Sequence, residues 1–327
     1  MARVLLVSTA MSPRDFWWDE FARITRSVGQ DSFRRHTLTD DPEAADLILF
    51  FEPEDEQLAR DVTGHPYARR YPDKTFVFDP SDRVVPFLPG IYASIQHWQY
   101  DATRMRSGFF PVVFDHDWIA CDPQRSPPEL LFSFVGDIRG NATREAIARL
   151  VHPRSLVRDT GEDPANHDDC PEHEHARFHQ EFADVLVNSA FCLCPRGAGT
   201  STFRIFETMK AGRVPVIISD GWVPPEGPTW ETFSLRVRER DTSSLPAVLE
   251  RHESAAAEMG AIARQQWELW FSASASFHRI VEWCLSIQQS RRVPERLARV
   301  LVMWQLLEPF NLRYKLLPGL RSILRLR

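Results

Sequence analysis

Two arginines and a glutamate between Phe191 and Asp220 carry the strongest chemical signal in this sequence. The stretch reads as a strand, a glycine-bearing loop, a helix and a second strand. A helix N-terminus presents free N–H groups and partial positive charge, a setting that suits a phosphate. Gly197 and Gly199 let the backbone approach a ligand closely. Thr200, Ser201 and Thr202 add hydroxyls and Arg196 a fixed charge. Arg204 and Glu207 stand three apart and share a helix face. Arg204 could reach a diphosphate or pair with Glu207, and Glu207 could accept two ribose hydroxyls. The spacing is neither a dinucleotide fingerprint nor a P-loop. A purely structural reading stands beside this one: such loops occur without ligands, and the Arg204–Glu207 pair alone would be an intrahelical contact of roughly 0.2–0.5 kcal/mol.

These residues need a scaffold, and the rhythm of the chain predicts one. In the N-terminal part, strands are expected at Val4–Val7, Asp46–Phe51 and Thr75–Phe78, with a helix over Phe16–Val28. Pro86–Gly90 and Ser107–Asp122 read as irregular. A proline-rich break at Pro123–Pro128 suggests a boundary. The rhythm then restarts: a strand over Leu130–Val135 ending at Gly136, a helix over Thr143–Val151 with Thr143 as its cap, and a helix over Glu172–Asn188. A strand over Ala190–Cys194, a helix over Ser201–Ala211 capped by Gly212, and strands over Val214–Ile218 and Ser234–Val237 follow. Helices over Ser243–Glu253 and Ala255–Gln289 complete the body. The expected organisation is α/β, with two Rossmann-like domains (1–124 and 125–289) facing a cleft and a basic amphipathic helical tail (290–327).

Composition narrows the class. The chain has 327 residues, 43% hydrophobic and 26% charged, ordinary values for globular domains. The net charge is −6. Residues 291–327 are net basic, so the body is more acidic than the total; that pattern argues against a nucleic-acid binder and for a local surface contact by the tail. Five cysteines in a long chain suggest neither a disulfide framework nor a zinc ribbon, and reduced thiols in the cytoplasm are expected. No apolar run has the length of a signal peptide core or a membrane span.

The segment Phe191-Cys-Leu-Cys-Pro-Arg-Gly, with Arg204-x-Phe206-Glu207 and Gly212-x-Val214-Pro215-Val216-Ile217-Ile218, closely resembles the exostosin-type glycosyltransferase family. Phe132-Ser-Phe-Val-Gly136 with Arg144, and Val223-Pro-Pro through Trp230-x-x-Phe233-Ser234, resemble its flanking elements. The resemblance covers about residues 130–250 and is weak in the N-terminal half. It implies a GT-B fold, an inverting sugar transfer and a UDP- or GDP-sugar donor, with a glycan or glycolipid as acceptor. By the same resemblance Arg196, Ser201, Arg204 and Glu207 bind donor, and Gly136 and Arg144 lie near the phosphates. Two departures stand out. Phe182 replaces the family's common Tyr, removing a hydroxyl. The eukaryotic relatives have a membrane anchor where no span is expected here, so a Golgi location does not follow.

Inverting transfer needs a base for the acceptor hydroxyl and positive groups for the departing diphosphate. Arginines and a helix N-terminus can do the second job without a metal cofactor. Asp15, Asp19, Asp79 and Asp82, following N-terminal strands, are the candidates for the base; each also suits a helix cap or turn. Other clusters were weighed. Asp115-His-Asp117 has the spacing of a cation-binding loop but reads as a polar turn. His175 and His179 share a helical face near His167 and could hold zinc, against the plainer reading of a solvated acidic helix. His97 and Trp98 could stack on a sugar or pack in a core. The tail 291–327 could lie on the inner face of an anionic membrane or pack on protein. The rivals to a transferase are a non-catalytic carbohydrate-binding module on the same fold and a zinc hydrolase built on the His167–His179 cluster.

Overall fold

The computed structural model describes residues 1–8, 16–51, 60–82, 84–122, 127–139, 141–163 and 170–302. The chain divides into two units, one comprising Met1–Pro111 with the residues from Ala273 onward, the other Val112–Ser272.

The first unit is built on a six-stranded, all-parallel sheet. Its strands are β1 (Arg3–Ser8), β2 (Thr37–Leu38), β3 (Leu47–Phe51), β4 (Thr75–Asp79), β5 (Gly90–Tyr92) and β6 (Met105–Ser107), in the order β2-β1-β3-β4-β5-β6. β3 is the apolar run LILFF, buried at every position, as a strand covered on both faces must be. The helices α1 (Phe16–Gln30), α2 (Arg60–Gly64) and α3 (Pro66–Arg70) connect these strands. β5 and β6 occupy stretches whose sequence reads partly as irregular; each is only three residues long, too short for a periodic pattern to register.

The second unit holds a five-stranded parallel sheet: β7 (Leu130–Gly136), β8 (Ser155–Asp159), β9 (Ser189–Pro195), β10 (Val214–Ile218) and β11 (Leu235–Arg236), ordered β11-β10-β9-β7-β8. Its helices are α4 (Ala142–Ile147), α5 (Glu172–Val187), α6 (Phe203–Lys210), α7 (Leu245–His252) and α8 (Ala256–Trp270). α5 buries Phe182, Ala183, Leu186 and Val187 against Val135 and Cys192. Each large apolar side chain so buried contributes roughly 1.5–3 kcal/mol. α6 ends in a Schellman motif: the Gly212 amide donates to the Met209 carbonyl and Arg213 to that of Thr208, with Gly212 at φ +68°. A Cβ there would also lie 2.8 Å from Cys121 Sγ, so glycine is required twice over. All five cysteines are free thiols, and burial pushes that of Cys192 up to about 11.

Three expectations need correction. The single long helix over 255–289 is two helices, α8 and α9 (Ala273–Ser290), because the chain leaves the second unit at Ser272. α9 packs on α1, β3 and β5, so it belongs to the first unit. The break between units falls at Pro111–Val112, not near residue 124, and residues 273–289 do not belong to the C-terminal domain. α4 is capped by Asn141, not Thr143: the Asn141 carboxamide oxygen accepts from the Thr143 and Arg144 amides at 3.0 and 3.4 Å. The tail begins as α10 (Glu295–Val302); beyond that it lies outside the described residues. Among the described residues no helix is long and apolar enough to cross a membrane.

Candidate functional site

In the second sheet the connections from β7 run first to β8 on one side and then across to β9 on the other. The carboxyl ends of β7 and β9 therefore diverge at a switch point, where parallel α/β sheets leave a crevice. A cavity of about 330 Å³ sits there, lined by Gly136 and Asp137 after β7, by Pro195 at the end of β9, and by Arg144, Thr202, Arg204 and Glu207. Aromatic and imidazole rings complete its wall: Phe134, Phe178, Phe182, Phe203, His116 and His179. A more open hollow of about 510 Å³ lies by Asp220, Arg236, Arg238 and Arg240, but it has no aromatic lining.

Two of the charged groups of this cavity, Arg204 and Glu207, come from one helix. Thr202 caps α6 by accepting the Arg204 amide on its hydroxyl at 3.4 Å, so the helix starts at Phe203 rather than Ser201. Its eight residues present Arg204, Glu207 and Lys210 along one row at spacings of three. Arg204 Nε donates to Glu207 Oε2 at 2.9 Å and Nη1 to the Val135 carbonyl at 2.7 Å. Its guanidinium lies 4.2 Å from the Phe182 ring centroid. The Phe182 ring thus supplies a stacking face for the guanidinium. Nη2 has no hydrogen-bond partner among the described residues. Lys210 Nζ, buried and held below its ordinary pKa by that burial, donates to the carbonyls of Val113, Phe114 and His116. This fixes the loop that delivers His116.

His116 Nδ1 lies 2.7 Å from Glu207 Oε1. Glu207 is buried, which pushes its carboxyl up, but His116 and Arg204 outweigh that penalty and hold it below its ordinary value. Glu207 is therefore an anchored carboxylate. The His116 ring stacks on Trp118, and Trp118 on His179, with centroids 4.7 and 4.1 Å apart. Burial and the neighbouring His175 and His116 lower the His179 pKa to about 4, so it is neutral at neutral pH. His175 and His179 do face each other, with Nε2 atoms 3.2 Å apart. His167 lies outside the described residues.

A second strap ties the loops together. Asn141, while capping α4, also donates through Nδ2 to the carbonyls of Arg196 and Gly197 at 3.3 and 3.1 Å. Arg144 Nε donates to the Arg196 carbonyl at 3.0 Å and Nη1 to that of Asp137 at 2.8 Å. A Cβ on Gly197 would come within 3.0 Å of the Arg144 guanidinium, which explains the glycine.

Of the eight sequence-predicted binding residues, the structure places Gly136, Arg144, Arg204 and Glu207 on the cavity. Arg196, Gly197, Thr200 and Ser201 are outside its lining. Thr200 and Ser201 are almost fully buried behind it, and Arg196 directs Nη2 to the Ala198 carbonyl. The positive wall is thus made by arginine side chains more than by a bare helix end. Among the base candidates, Asp19 is exposed on α1; Asp79 ends β4 and accepts the Ser81 amide at 2.8 Å, a turn-forming role; Asp82 is partly buried; Asp15 lies outside the described residues. All belong to the first unit. Asp115 and Asp117 are exposed, in keeping with a polar turn. Sequence reasoning missed His116 and Asn141 and set His179 apart from the glycine loop. The only signal for His116 was its position between two aspartates, which drew attention to the wrong side chains.

Part of the chain matches known proteins. Residues 92–252 match the model of the Exostosin GT47 domain. An Exostosin-1 homolog of Caenorhabditis elegans is 45% identical over 71 residues, 21% of this chain and 19% of that protein. Exostosin-1b of Danio rerio is 31% identical over 174 residues, 50% of this chain and 23% of that protein. The matches thus span less than a quarter of the length of these relatives. Among solved structures, a glycosyltransferase from Rickettsia africae aligns over 88% of this chain and 99% of that chain, with 10% identity and a TM-score of 0.42.

Proposed function

We propose that the chain is a member of the exostosin-type glycosyltransferase family and that it transfers a sugar from a nucleoside-diphosphate sugar to a glycan or glycolipid hydroxyl with inversion. The observation that carries this reading is the Arg204–Glu207 pair on the cavity wall. Arg204 is oriented by two protein hydrogen bonds and an aromatic face, and among the described residues nothing accepts from its Nη2. An oriented guanidinium with a donor to offer suits a diphosphate. Arg144, strapped to both loops, adds a second positive group.

In this reading an acceptor hydroxyl oxygen attacks the anomeric carbon while the bond from that carbon to the diphosphate oxygen breaks. A base takes the hydroxyl proton, with Asp19, Asp79 and Asp82 the described candidates. Arg204 and Arg144 stabilise the charge that grows on the departing diphosphate, so arginines take the part a metal plays elsewhere. Glu207, with its oxygens facing His116 and Arg204, retains lone pairs for ribose hydroxyls. Nucleotide is UDP or GDP. The basic segment 291–327 would bring the enzyme to the inner face of an anionic membrane if the acceptor is lipid-linked.

Titration calorimetry with UDP and GDP, followed by donor hydrolysis, tests the reading. Binding of one nucleotide that weakens at least tenfold in Arg204→Ala supports it. Absence of binding by either, or binding untouched by Arg204→Ala, overturns the site. Glycan binding without turnover, tolerant of Glu207→Ala, would instead mark a carbohydrate-binding module.

A further inference from the structure

A second cluster of ligand-type side chains lies in the first unit. His36 sits just before β2, and His278 and Glu282 are one turn apart on α9. His36 Nε2 is 3.0 Å from Glu282 Oε1, and the two imidazoles stack with centroids 5.1 Å apart. One ligand atom from each of the three residues lies within 4.8 Å of the other two, and among the described residues no other group of three does so. Both histidines are buried, at 6% and 3% exposure, while Glu282 is partly exposed. His278 Nδ1 is a buried polar atom without a hydrogen-bond partner among the described residues. Buried polar atoms normally have partners, and an unpaired imidazole nitrogen next to a histidine–carboxylate pair calls for an explanation.

We propose that His36, His278 and Glu282 bind one divalent transition-metal ion of the zinc class as a structural clip. Two imidazoles and a carboxylate are a donor set that zinc favours, with room for water on the exposed side of Glu282. An imidazole lone pair lies in the ring plane, so bonds of about 2.0–2.2 Å to one ion require the stacked rings to turn towards each other as their ligand atoms, now within 4.8 Å, draw in. Glu282 and Asp31 set negative charge against nearby Arg279. A His36–Glu282 ion pair alone would leave the His278 nitrogen unexplained. Metal on His36 Nε2 shifts the ring proton to Nδ1 and opens the long 3.3 Å contact from the Ala2 amide, a small loss. The gain is a tie between the N-terminal edge of the sheet and a helix that returns only after the whole second unit. A cross-link closing so long a loop removes much chain entropy from the unfolded state.

The test uses the full chain without an affinity tag, stripped with chelator and re-equilibrated with zinc or cobalt. The expected result is one metal per chain by elemental analysis, a cobalt absorption band of nitrogen–oxygen ligation, and a melting temperature raised by several degrees. Glu282→Gln, at a partly exposed position, should lower zinc affinity at least tenfold, and His278→Gln should do so more strongly. His175→Gln/His179→Gln should leave the metal in place. A wild-type chain that takes up neither metal, or uptake that survives His278→Gln and vanishes in His175→Gln/His179→Gln, overturns the proposal. None of these readouts depends on nucleotide binding or sugar transfer.

Discussion

Among the described residues, two of the buried arginine–glutamate pairs are alike in chemistry and burial and unlike in what surrounds them. In the second unit, Arg204 and Glu207 have side chains 14% and 3% exposed; in the first, Arg104 and Glu295 are 13% and 0% exposed. Burial therefore does not distinguish them. Arg104 grips Glu295 with both terminal nitrogens, at 2.9 and 3.0 Å, and Arg299 adds a third contact. The Glu295 amide meanwhile donates to Asp73, so the start of α10 is locked onto the first unit. Arg204 meets Glu207 through Nε alone, turns Nη1 to a backbone carbonyl, and borders a cavity. A carboxylate held by a two-pronged fork is structural; one held from the side leaves a donor for a ligand.

The largest effect should come from breaking the structural pair. Arg104→Ala removes the two-pronged partner of buried Glu295 and leaves it only the longer Arg299 contact, and is expected to cost up to about 3–5 kcal/mol of stability. Denaturant midpoints would measure it, and whatever protein remains folded should bind nucleotide unchanged. Equal loss of affinity and stability would erase the contrast between the pairs.

Arg204→Lys makes the complementary cut. Charge is kept, but the planar fork and its stack on Phe182 are lost. Nucleotide affinity is expected to fall tenfold to a hundredfold, about 1.4–2.7 kcal/mol, with a smaller loss of stability than in Arg104→Ala. Calorimetry alongside thermal melts separates the two quantities.

Acidification sharpens the comparison through the cavity's own titratable groups. The His179 pKa is lowered to about 4 from 6.5, so the unfolded chain binds this proton more readily than the folded one. Its effect is absent above pH 6.5, and stability falls as pH drops from there towards 4. Glu207 follows lower down: its depressed carboxyl contributes stability above its ordinary value of 4.5 and loses it as pH falls below that. Stability curves of His179→Phe, which keeps the stack on Trp118, should lose part of the slope between pH 6.5 and 4 and retain the lower step. An unchanged slope would refute the assignment to His179.

The smallest change is expected from Phe182→Tyr, which restores the hydroxyl common in the family without removing the ring beneath Arg204. Its effect on stability should stay within about 1 kcal/mol. A large rise in nucleotide affinity would show that the hydroxyl, rather than the stack, matters at this position.

What the sequence determined by itself was local. Apolar runs such as LLFSFV before Gly136 and VPVII are buried strands here, and the strand–loop–helix–strand unit from Ser189 to Ile218 was legible because its signals lie next to one another: an apolar run, glycines and Gly212 after the last helical turn. The shared face of Arg204 and Glu207 followed from helical spacing alone. β8 was not legible: SLVRD is a sheet-edge strand, half-buried and too polar to announce itself.

Only the tertiary structure brought His116 to Glu207, Asn141 to the carbonyls of Arg196 and Gly197, and His179 to the cavity wall. It also decided that Thr200 and Ser201 turn inward and that α9 leaves one unit to pack in the other. The physical reason is common to all of these. Helical and strand periodicity report which face of a segment seeks the core, but not which distant segment will meet it. That choice is made by sheet order and by the few buried polar groups, such as Lys210 and Arg104, whose carbonyl or carboxylate partners must be found once water is excluded.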